Sequence, residues 1–72
     1  MNLRSRLKEI RLEKGLTQES LADKAGVTRQ TIIAIEKAKF VPSVKLALEL
    51  ASALDASLEY VFWLDDSTGG KS

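Results

Sequence analysis

The chain has 72 residues, enough for one domain with a small core. It contains no Cys and no His, which excludes disulfides and zinc sites of the usual Cys/His kind and removes the commonest catalytic base. The net charge of +1 hides an asymmetry: residues 1–39 carry nine Lys/Arg against five Asp/Glu, and residues 40–72 carry two against five, so the first half suits a polyanion and the second suits water or a partner.

The opening residues, Met1-Asn2-Leu3-Arg4-Ser5-Arg6, run into an amphipathic pattern without the apolar segment of a signal peptide. No apolar run approaches the roughly 18 residues of a membrane span. A soluble, cytoplasmic protein with no membrane contact is expected. Leu3, Leu7, Ile10 and Arg11 fall at i, i+4, i+7 and i+8, which predicts a first helix from about Leu3 to Lys14. Asn2 would cap it, and Gly15 would end it in the left-handed conformation.

Thr17 is placed to cap a second helix, with Ser20 at the position where a capping box usually has Glu. Leu21, Ala22 and Ala25 form its inner side. Gly26, without a Cβ, permits a sharp turn, and Val27 is a buried turn residue. Thr28 caps a third helix reaching about Lys37. Ile32, Ile35 and Glu36 of that helix point inward, and Gln30, Ile33, Ala34 and Lys37 point outward, with Arg29 at the leading edge. Two short helices joined by a tight turn, the second presenting polar and basic groups, are the pattern of a helix-turn-helix DNA reader.

Pro42 breaks the chain and Ser43 caps a fourth helix, Val44 to Leu54, with Val44, Ala47, Leu48, Ala51 and Leu54 as its apolar stripe. Asp55-Ala56 form a turn, and Ser57 caps a short fifth helix with Leu58, Val61 and Phe62. No strand pair joined by a turn is legible, although Phe62–Leu64 suits a short extended piece. The fold class expected is all-α, a compact five-helix bundle over residues 1–64, followed by a polar, Gly-containing tail at 65–72 that is expected to fray.

In order along the chain, Arg11, Gly15-Leu16-Thr17-Gln18, Leu21-Ala22, Gly26-Val27-Thr28-Arg29, Ile32, Ile35-Glu36, Pro42, Leu46, Leu50-Ala51, Leu54, Ser57-Leu58 and Val61-Phe62 resemble the Cro/C1-type (XRE) helix-turn-helix family. The resemblance spans about residues 3–64. It implies a lambda repressor-like bundle and a short prokaryotic transcriptional regulator, in general a repressor, binding a pseudopalindromic double-stranded operator as a homodimer. It also implies an ion pair between Arg11 and Glu36, and a phosphate contact and a brace to the third helix from Gln18. At two positions the chain departs from the family: Ala38 stands where Gly is usual and Val41 where Asn is frequent.

Arg29 and Gln30 open the third helix, where side chains reach base edges. Arg suits guanine and Gln suits adenine, and either also suits phosphate. Thr28, Thr31, Lys37 and Lys39 flank the same face, the two lysines suiting phosphate with help from backbone N–H groups beyond the helix end. Arg4 and Arg6 are lesser candidates for the same role. Ile33 suits a thymine methyl and Ala34 permits close approach. The alternatives for this pair are tolerated exposure or a protein-binding face. Tyr60, Phe62, Trp63 and Leu64 form an unusually apolar chain end, read as a dimer interface or as a fold-back of Trp63 over the first or fifth helix. A second functional class follows from it: a protein-interaction module, such as an antitoxin, that holds a partner protein through this segment. No phosphate-binding Gly loop, paired-carboxylate cleft or His/Cys nucleophile is present, so neither an enzyme nor a cofactor is expected.

Overall fold

The computed structural model describes residues 2–65, and the tail expected at 65–72 lies outside them except for Asp65. The order is β1 (Asn2–Ser5), α1 (Leu7–Glu13), α2 (Gln18–Ala25), α3 (Arg29–Glu36), α4 (Val44–Ala53), α5 (Leu58–Val61) and β2 (Phe62–Asp65). Among the described residues there are five helices as expected, but the fold is not strictly all-α, because β1 and β2 pair antiparallel with Leu3 opposite Leu64 and Ser5 opposite Phe62.

The strand corrects the expected helix start at Leu3. Leu3 and Ser5 turn inward while Asn2 and Arg4 turn outward, a two-residue alternation that the i, i+4 spacing of Leu3 and Leu7 concealed. What decides between the two is a partner 61 residues away: β2 supplies backbone hydrogen bonds that local periodicity cannot reveal. Asn2 therefore lies in β1 and is not the cap of α1. Arg6 occupies the N-cap of α1 without a side-chain cap bond, and its N–H donates to the Val61 carbonyl at 3.0 Å.

The other four helices open on the expected side chains. Thr17 and Ser20 form a reciprocal capping box, and the hydroxyls of Thr28, Ser43 and Ser57 accept from the backbone N–H three residues on. The first four helices end alike. Gly15, Gly26, Ala38 and Asp55 all have positive φ, at 72°, 72°, 59° and 55°. At each end two backbone N–H groups turn back onto the last helical turn, as when Ala38 donates to Ile35 and Lys39 to Ala34. This double closure is the Schellman motif. Two of its four left-handed positions carry a Cβ.

The core joins Leu7 and Ile10 of α1, Leu21, Ala22 and Ala25 of α2, Ile32 and Ile35 of α3, and Leu46, Leu50, Ala51 and Leu54 at α4. Val61 and Phe62 complete it, and Val27 packs half-buried against it. Each fully buried Leu or Ile contributes about 1.5–3 kcal/mol of transfer free energy. Of the stripe expected on α4, Ala51 and Leu54 are buried and Ala47 packs against the core, but Val44 and Leu48 are 74% and 50% exposed, and Leu46 and Leu50 are buried in their place. Apolar residues surround much of α4, so periodicity offered two faces. Packing against α2 selected Leu46 and Leu50.

Candidate nucleic-acid interface

Gly26 turns the chain between α2 and α3 in the left-handed conformation, and α3 starts two residues later at the Thr28 cap. Ile32 and Ile35 anchor one side of α3 in the core. A polar clamp fixes its C-terminal end. Arg11 Nε donates to Glu36 Oε2 at 2.7 Å and Arg11 Nη2 to Glu36 Oε1 at 3.4 Å, while Arg11 Nη1 donates to the Leu16 carbonyl at 2.9 Å. Gln18 Nε2 donates to Glu36 Oε1 at 3.1 Å. Both charged side chains are almost wholly buried. The carboxylate thus receives donors from α1 and α2, which fixes the orientation of α3 against both.

This arrangement leaves the opposite side of α3 free. Arg29 and Gln30 are exposed, and neither side chain is engaged by another group among the described residues. Lys37 and Lys39 are exposed in the same way. Ile33 and Ala34 are half-buried, and Ile33 belongs neither to the core nor to the residues packed on it. Thr28 and Thr31 face the start of this surface, but their hydroxyls bond each other at 3.1 Å and Thr28 caps the helix. Gln18 is half-buried, and its amide nitrogen carries a second hydrogen beyond the one given to Glu36.

Several expectations need correction. Of the backbone N–H groups beyond the end of α3, expected to assist the lysines toward phosphate, those of Ala38 and Lys39 are occupied by the closure of the helix. Arg4 pairs with Asp65 at 2.9 Å. Arg6 donates from Nε to the Tyr60 carbonyl at 2.7 Å, and its guanidinium lies 4.4 Å from the Tyr60 ring centre and 4.5 Å from that of Trp63. Both arginines therefore tie the segment around β1 to α5 and β2. Phe62 is in the core, which removes it from the expected apolar surface, whereas Tyr60, Trp63 and Leu64 remain on the outside. Val41, Val44 and Leu48 are exposed as well. Leu3, Val41, Pro42, Val44, Ala47, Leu58, Trp63 and Leu64 with neighbours line an apolar groove of about 300 Å³. Sequence reasoning missed the Arg6 bracket; two aromatics flanking an Arg-bearing N-terminus offered no register for it.

Two helices at a tight turn, with the second clamped on one side and bare on the other, define a helix-turn-helix protein. The helix-turn-helix family profile matches residues 7–61, and the chain belongs to that family. It is 45% identical over 64 residues to the uncharacterized HTH-type transcriptional regulator YgzD of Bacillus subtilis, covering 89% of this chain and 97% of that one. It is 51% identical over 65 residues to an uncharacterized HTH-type transcriptional regulator of Methanothermobacter thermautotrophicus, covering 89% and 94%. Among solved structures it is similar to the restriction-modification controller protein C.AhdI of Aeromonas hydrophila, with a TM-score of 0.73, 38% identity, and 76% and 80% of the two chains covered. Among the described residues no helix is long and apolar enough to cross a membrane.

Proposed function

We propose that this protein is a sequence-specific, double-stranded-DNA-binding transcriptional regulator that inserts α3 into the major groove and represses by occupying its operator. The observation that carries this reading is the pairing of a clamped α3 with unengaged Arg29 and Gln30 at its exposed N-terminal end. Gln30 suits adenine, and Arg29 suits guanine or phosphate. Gln18, Lys37 and Lys39 supply phosphate contacts, with Thr28 and Thr31 at the edge of the surface. The naming of the relatives as transcriptional regulators supports the same reading.

The working unit is a homodimer formed on the apolar surface of Val41, Val44, Leu48, Trp63 and Leu64, with Tyr60 at its border. A twofold axis would set two copies of α3 about 34 Å apart on a pseudopalindrome. Selection of bound duplexes from a random pool tests the reading. Enrichment of a symmetric site supports both the function and the dimer. Failure to enrich any sequence, with retained capture of a partner protein, would favour the protein-interaction module.

A further inference from the structure

We infer that Ile33 makes binding depend on the 5-methyl group of one pyrimidine in each half-site, whether thymine or 5-methylcytosine carries it. The inference rests on the DNA-binding reading above. In α3, Ile32 and Ile35 are core residues and Glu36 is clamped, so the outer surface is left to Arg29, Gln30, Ile33, Ala34 and Lys37. Ile33 lies one turn beyond Arg29 and one turn before Lys37, at the middle of that surface. It is a large apolar side chain with no packing duty toward the core. Ala34 beside it ends at Cβ and adds no bulk to keep the backbone away from a groove floor.

An isoleucine side chain has no donor or acceptor, so it cannot read the hydrogen-bonding pattern of a base edge. The apolar feature of the major groove is the C5-methyl of thymine. A methyl at the same carbon of cytosine occupies the same place. Ile33 therefore separates methyl from hydrogen at C5 and is indifferent to whether the neighbouring exocyclic group accepts or donates. Burial of one methyl corresponds to about fourfold in affinity per half-site, and roughly fifteenfold for a symmetric pair. An enzyme that methylates cytosine at C5 would thereby change the occupancy of a site that has cytosine at this position.

The test uses the highest-affinity duplex from the selection and the whole chain. Each thymine is changed singly to deoxyuridine, which removes the methyl and nothing else. At the sensitive position, C·G and 5-methyl-C·G are then compared. The expected result is one uracil-sensitive thymine per half-site, with 5-methyl-C·G binding about fourfold more tightly than C·G there. Ile33→Ala, with folding checked by thermal unfolding, should erase both differences at that position and leave the preference at other positions intact. Uniform tolerance of uracil, or a methyl preference that survives Ile33→Ala, would overturn the inference while leaving DNA recognition standing. A pool in which nothing enriches would overturn the DNA reading and this inference together.

Discussion

Arg11 and Glu36, 25 residues apart in sequence, meet through two hydrogen bonds at 2.7 and 3.4 Å with both side chains nearly shielded from water. Removing one partner strands the other charge, so Arg11→Ala and Glu36→Ala should each cost about 3–5 kcal/mol. Urea unfolding measures this directly. Replacing both residues by Met and Leu should return much of the stability, because the desolvation penalty of the pair disappears with the pair. The doubly apolar protein would still lack the acceptor for Gln18, so its affinity for a selected duplex should fall even where its stability recovers. An Arg11→Ala protein as stable as the parent would refute the clamp.

Ala38 holds a φ of 59° at the end of α3, where its Cβ is strained and glycine is not. Ala38→Gly should stabilise the chain by about 1 kcal/mol, a rise of roughly 4–8 °C in melting temperature for a domain of this size. Asp55 has nearly the same φ, but Asp tolerates the left-handed region better. Asp55→Gly should therefore give a smaller gain in the same thermal scan.

Lys39 and Arg29 are distinguished by salt. Each phosphate contact removed lowers the magnitude of the slope of log affinity against log salt by about one unit, uniformly across sequences. Lys39→Ala and Lys37→Ala should behave so. If Arg29 grips guanine, Arg29→Ala should cost about 1–3 kcal/mol and relax preference at one base pair of each half-site. Binding isotherms at several salt concentrations, on the selected and on a scrambled duplex, separate the two roles.

Val44 projects from α4 with its side chain outside the core, so a charge there disturbs the surface and spares the fold. Val44→Asp should convert the proposed dimer to a monomer in sedimentation analysis while leaving the melting of the monomer nearly unchanged. DNA affinity should fall with it, since one half-site then carries the whole interaction. A Val44→Asp protein that sediments as the parent does would remove this surface from the interface.

The two-helix unit was legible because its signals are local: Thr17, Thr28 and the glycines at 15 and 26 mark ends that depend on a few neighbouring residues. The inward placement of Ile32 and Ile35 followed from a helix with one apolar side. Elements fixed by distant partners were not legible. β1 exists because β2 is there to pair with it, and the buried face of α4 was chosen among several apolar faces by α2. Arg6 read as a lesser candidate for a phosphate contact, yet its place beside Tyr60 and Trp63 depends on the same pairing of β1 with β2. Of the candidate site, the exposure of Arg29, Gln30 and Lys37 followed from the helical wheel. The occupation of the Ala38 and Lys39 N–H groups did not, because it depends on Ala38 taking the left-handed conformation despite its Cβ.

The most direct test of the central claim is a backbone amide NMR titration of the protein with its selected duplex. Shifts concentrated at Gln18 and from Thr28 to Lys39, with the amides around Val44 and Trp63 unmoved beyond any change in dimer population, are what this account predicts. Shifts centred on the groove of Val41, Val44 and Leu64, with Arg29 and Gln30 silent, would contradict it.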